Sequence, residues 1–108
     1  MISRIWYGYT TPQNADAYET LLKTEIFPGI LARRIDGFLR IELFRRTAGD
    51  EVEFATVLWF TSLDAVRAFA GERWEEAVVP PAARALLKRF DERSRHYDVR
   101  EIRTARAS

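Results

Sequence analysis

Acid–base chemistry in this chain would begin with one imidazole. His96 is the only histidine, and it stands in the stretch "RSRHYDV" with Tyr97 and Asp98 beside it. An imidazole with an unperturbed pKa near ~6.5 accepts and returns protons at neutral pH, as removal of a phenolic proton requires. Asp98 shares the face of His96 in an extended segment, and Asp91 is close in sequence, so either carboxylate could orient the ring. The competing reading is a strand-edge histidine bonded to backbone or water. Ser94, two residues before His96, makes only a weak nucleophile–base pair with it.

Flat apolar walls with a polar handle suit a planar ligand. Trp6, Tyr7, Tyr18, Trp59, Trp74 and Tyr97 supply such groups, although aromatics serve equally in cores and subunit interfaces. Trp59 and Trp74 flank one short helical segment and are the leading candidates for binding a substrate ring, with Trp6 and Tyr18 behind them. The arginines Arg33, Arg34, Arg45, Arg46, Arg73, Arg93 and Arg95 have acidic neighbours and read mainly as a solvated, ion-paired surface. Arg73, beside Trp74, is the one singled out as a ligand contact. One histidine with scattered carboxylates makes no metal site, and no glycine-rich phosphate loop is present, so no cofactor is expected.

These groups sit in a chain of 108 residues, the size of one domain. Lys plus Arg number 17 and Asp plus Glu 16, a net charge of +1 that argues against a nucleic-acid or anionic-membrane partner. Only Lys23 and Lys88 are lysines; the remaining cations are arginines, the better partners for carboxylates and aromatic faces. Without cysteine there is no disulfide framework and no thiolate nucleophile. "MISRIWYGYT" has no apolar leader, and no run approaches the ~20 apolar residues that span a bilayer. The expectation is a soluble cytoplasmic protein.

The elements that must position the candidates follow from periodicity. Residues 2–9 are β-branched and aromatic and predict a strand. Pro12 opens a helix over 13–27 with Tyr18, Leu21, Leu22 and Ile26 on its stripe, and Pro28-Gly29 is expected to end it. In 35–46, Leu39, Ile41 and Leu43 alternate against Phe38, Arg40, Glu42 and Phe44. The turn residues 47–50 join this strand to a second over 51–61, with Phe54, Leu58 and Phe60 opposed to Ala55, Val57 and Trp59. Neither face is very polar, so both are expected to be covered, one by helices and the other most simply by a second subunit.

Ser62 caps a short helix that Gly71 stops, and residues 72–79 are helical or a loose turn. Pro80-Pro81 opens a helix with Ala83, Leu86, Leu87 and Phe90 on its stripe. A last strand is expected over 93–102, closing a domain at about 1–103, with 104–108 a frayed tail. The order β-α-β-β-α-β predicts a ferredoxin-like α+β fold with a four-stranded antiparallel sheet.

The run "LWFTSLDAVRAFAGERWEEAV" at 58–78, with "PGILARRIDGFLRIELFRR" upstream, resembles the antibiotic biosynthesis monooxygenase-like family over about 5–100. The resemblance implies a dimeric α+β barrel with a small pocket between sheet and helices in each subunit. It also implies a choice among cofactor-independent oxidation of phenols, haem degradation and no chemistry at all, which fold analogy does not make. Trp59 falls where the haem-degrading branch has its tryptophan. Val78 falls where that branch has its haem-ligating histidine, however, and "SRIWYGY" lacks its asparagine, so haem degradation is not expected.

The expected function is therefore that of a homodimer oxidising a small aromatic compound without a cofactor. In that scheme His96, with Asp98, takes a phenolic proton while Trp59 and Trp74 hold the ring. A non-catalytic binding or sensing protein and an isomerase-type enzyme are the alternatives.

Overall fold

A computed structural model of the chain describes residues 1–106. The first strand, β1 (Ile2–Thr10), is the centre of the sheet. Thr11 then caps α1 (Pro12–Leu21), its hydroxyl accepting from the Asn14 N–H at 3.3 Å, and Pro12 takes the first helical position, where no N–H is needed.

The helix does not end at Pro28-Gly29 as the sequence predicts. It passes through a wide π turn (Leu22–Ile26), in which the Phe27 N–H bonds the Leu22 carbonyl, and continues as α2 (Phe27–Ala32). A proline interrupts the hydrogen-bond ladder of a helix, and here the widened turn before it absorbs that interruption. The stop comes instead at Arg34, in the left-handed region at φ 49°.

Strands β2 (Phe38–Ala48) and β3 (Glu51–Phe60) form the predicted hairpin, turned at Gly49 with φ 65°. One feature of β2 departs from simple alternation: a bulge between Phe38 and Arg40 inserts Leu39 as an extra residue. Phe38 therefore joins the covered face, its ring 5.4 Å from that of Phe60, while Leu39 is largely exposed instead of packing with Ile41 and Leu43.

Ser62 caps α3 (Leu63–Ala70) and Gly71 follows it at φ 86°, as predicted. Residues 72–79 are an open turn without helix, and α4 (Pro81–Leu86) is shorter than its apolar stripe implied. Leu87 is extended, and Arg89–Phe90 form a short strand, β4, on the edge of β1. The final strand, β5 (Arg95–Asp98), covers only the middle of the predicted 93–102. Sheet pairing wins over helical periodicity at Phe90, because Gly8 and Tyr9 offer free backbone partners there.

The sheet runs β2-β3-β1-β4, with β5 also on β1, and every pairing is antiparallel. This is the ferredoxin-like arrangement, with its fourth strand divided in two. Helices cover one face through two clusters, Ala15, Tyr18, Val52 and Phe54 in one and Leu58, Phe60, Ala65 and Val66 in the other. The opposite face carries exposed Phe44 and Tyr97. Residues 99–106 form no helix or strand; of the expected frayed tail, 107–108 lie outside the described residues. No helix among the described residues is long and apolar enough to cross a membrane.

Candidate functional site

The division of the last strand shapes the site. Between β4 and β5, where Asp91 N–H still bonds Tyr7 O, residues 92–94 leave β1 and pair with the turn: Ala77 N–H bonds Glu92 O, Ser94 N–H bonds Glu75 O, and Glu76 bridges Arg93. The excursion brings the carbonyls of 74–76 over the central strand. Beneath them lies Arg4, only 3 % exposed. Its Nη1 donates to Trp74 O and its Nη2 to Glu76 O, the latter at 3.0 Å. Its guanidinium also stands 5.5 Å from the centre of the Phe69 ring.

Beside this arginine a pocket opens between the sheet and the helices. Trp6, Tyr18, Ile26, Phe27, Leu58 and Phe69 are among its walls, and Arg4, Thr56 and Ser94 are its polar points. The room for the centres of water-sized spheres is about 70 Å³, roughly five times what one water needs. That is about half the ~150 Å³ of an apolar cavity that holds benzene. Among the described residues no carboxylate lines the pocket, and none is ion-paired with Arg4. Burial lowers the Arg4 pKa to about 10, which still leaves it charged at neutral pH. Burial also raises the Tyr18 phenol, so its O–H stays a donor.

His96 pairs with Arg4 across the β1–β5 ladder, so both side chains are on the helix-covered face. Its Nε2 is 3.0 Å from Arg4 Nη1, and its ring meets Trp74 edge-on with centroids 4.8 Å apart. Burial, then the Arg4 charge, depress its pKa to about 4, against a smaller opposing effect of Glu75. The imidazole is neutral at pH 7, its Nε2 lone pair is taken by the guanidinium, and it is not among the pocket-lining residues. Asp98 shares its strand face but is exposed and forms no hydrogen bond to it. The group that orients His96 is thus Arg4, not a carboxylate.

The remaining predicted site residues divide. Trp6 and Tyr18 line the pocket, the Trp6 indole N–H donating to Asp91 O at 2.7 Å. Trp74 touches the pocket only indirectly, through its carbonyl on Arg4 and its ring on His96. Arg73 is exposed, 3.7 Å from Glu76, away from the pocket. Trp59 points from the opposite face of the sheet, where its indole donates to Glu42 at 2.5 Å and Arg40 stacks on it at 4.5 Å. Of the other arginines, Arg45 pairs with Asp16 and Glu19, Arg46 with Glu53, and Arg33 binds the carbonyls of Ala68 and Phe69. No group of three or more His, Cys, Asp or Glu residues placed to hold a metal occurs among the described residues.

Arg4 was not anticipated. The available signal was its parity: it falls between Ile2 and Trp6 on one face of a strand flanked by partners on both edges. A cation at such a position is buried when the helices cover its face, as they do here; Ile5 and Tyr7, on the other face of the same strand, are only half-buried.

No family model matches the chain, and no curated protein does. Solved structures do match over nearly its whole length. One from Bacillus cereus, provisionally described as an antibiotic biosynthesis monooxygenase, aligns with TM-score 0.66 at 14% identity, covering 96% of this chain and 97% of that one. Rv0793 from Mycobacterium tuberculosis aligns with TM-score 0.57 at 19% identity, covering 95% and 98%. SnoaB from Streptomyces nogalater, a cofactor-independent oxygenase, aligns with TM-score 0.55 at 22% identity, covering 94% and 95%. The chain shares their fold.

Proposed function

We propose that, on the fold it shares with these monooxygenase-type structures, the chain binds a small one-ring aromatic compound between sheet and helices and oxidises it with dioxygen, without a cofactor. The observation that carries this reading is the pocket itself, apolar and aromatic on its walls, with Arg4 as its single charge. The reaction balances as a phenol plus dioxygen giving a quinone plus water: one oxygen atom becomes the new carbonyl and the other leaves in water with two hydrogens from the substrate. The working unit is a homodimer joined through the open sheet face, where Phe44 and Tyr97 are exposed.

The test is oxygen uptake by the metal-free protein, in chelator, with a panel of phenols and hydroquinones. Uptake accompanied by quinone absorbance supports the proposal, and no uptake with any member overturns it. A binding or sensing role is the second reading. It is favoured by the lack of a carboxylate or a free imidazole in the pocket to act as general base. The same lack weighs against an isomerase. A ligand that raises the melting temperature without being consumed supports the binding role.

A further inference from the structure

Arg4 is a buried cation whose charge the protein leaves uncompensated. Its partners are two carbonyls and one neutral ring nitrogen, none of them anionic. A guanidinium has five N–H groups; those partners occupy three, and Nε–H and one Nη2 hydrogen have no acceptor among the described residues. Carbonyl dipoles hold the group in position, but they do not neutralise a full charge taken out of water. The other polar groups of the pocket are hydroxyls, those of Thr56, Ser94 and Tyr18, each able to donate. The one charge available to a ligand is thus positive, its hydroxyl neighbours can donate to the same oxygen, and no carboxylate among the lining residues opposes it.

We infer that the pocket is an oxyanion site: it takes a one-ring compound as its carboxylate or phenolate, with the anionic oxygen on Arg4 and the ring among Trp6, Tyr18 and Phe69. This deepens the proposed function by naming its substrate class. It also supplies what that reaction needs in the absence of a base: Arg4 stabilises the ionised phenol, whose proton goes to bulk water, and the electron-rich phenolate is the form that reacts with dioxygen.

The inference is tested by binding, separately from turnover. Calorimetry on the unaltered protein compares benzoate with its neutral isostere benzamide, and benzoate is expected to bind at least tenfold tighter. Equal affinities, or no binding of either at millimolar concentration, overturn the inference. 4-Nitrophenol, followed by its absorbance, extends the test to phenolates: bound dye is expected to ionise at least one pH unit below free dye, and an unchanged or raised midpoint overturns the phenolate half. Arg4→Met should abolish the preference for benzoate while benzamide binding persists; a preference surviving in a folded variant counts against the inference. If Arg4→Met does not fold, the two measurements on the unaltered protein still decide. Anion preference without oxygen uptake removes the oxidation and leaves this site standing. Oxygen uptake with no anion preference does the reverse.

Discussion

Arg4 Nη1 and His96 Nε2 stand 3.0 Å apart across the β1–β5 pairing, and the contact fixes the state of both. The guanidinium can only donate, so Nε2 accepts and the imidazole proton sits on Nδ1. His96 is thereby a neutral anchor for a buried cation, and its base strength is spent on that contact.

This arrangement has a pH signature. The folded pKa of His96, about 4, is below its unfolded value of 6.5. Between those values the unfolded chain binds more protons, so stability falls as pH falls. The contribution is full above pH 6.5 and is lost as pH drops through about 4. Because the chain has one histidine, the upper part of that window, before carboxylates titrate, belongs to it. Urea midpoints should decline from pH 7 to pH 5, and His96→Asn should flatten that decline. Oxygen uptake, where observed, should survive in His96→Asn to the same order of magnitude.

Two glycines with positive φ should respond differently to alanine. A Cβ at Gly37 (φ 83°) would meet Thr61 Oγ1 at 2.5 Å and the Ala65 Cβ at 2.8 Å, whereas one at Gly49 (φ 65°) meets nothing within 4 Å. Gly49→Ala should cost about 1 kcal/mol, the backbone penalty alone. Gly37→Ala adds overpacking and should cost about 2–4 kcal/mol in equilibrium denaturation.

The core under α3 should be much less tolerant than its cap. Phe60 is wholly buried among Phe38, Phe69 and Val66. Phe60→Ala is expected to lose about 3–5 kcal/mol. Ser62→Ala removes one bond, to the Ala65 N–H at 3.3 Å, and should lose about 1 kcal/mol. Chemical denaturation of the two variants measures the contrast.

The open sheet face should hold the second subunit. Phe44 is 54% exposed there, and a charge in its place would have to be buried on assembly. Sedimentation at micromolar concentration should give a dimer for the native chain and a monomer for Phe44→Glu. A native monomer would contradict the proposed assembly.

Local patterning was a sound guide wherever neighbours in sequence determine the outcome. The alternation of β3, the Ser62 cap, the Gly71 stop and the Thr47–Asp50 hairpin are each consequences of a few adjacent residues, and each formed as read. The misreadings share one cause, a local signal overruled by a partner distant in the chain. Phe90 continues an apolar stripe but pairs with Gly8, and Phe38 changes face because a bulge shifts it toward Phe60. Pro28 fails to end a helix because the turn before it widens.

The same division holds at the site. Sequence alone determined that one histidine, a set of aromatics and many arginines were the available chemistry, on a ferredoxin-like sheet. It did not distinguish Arg4 from the other arginines, because a side chain's charge is local whereas its burial is not. Only the tertiary structure decided that Arg4 lies beneath the 74–76 carbonyls and beside the pocket, with His96 turned toward it. The cause is the break between β4 and β5, which lets residues 92–94 leave the sheet and draw the 74–77 turn over the central strand.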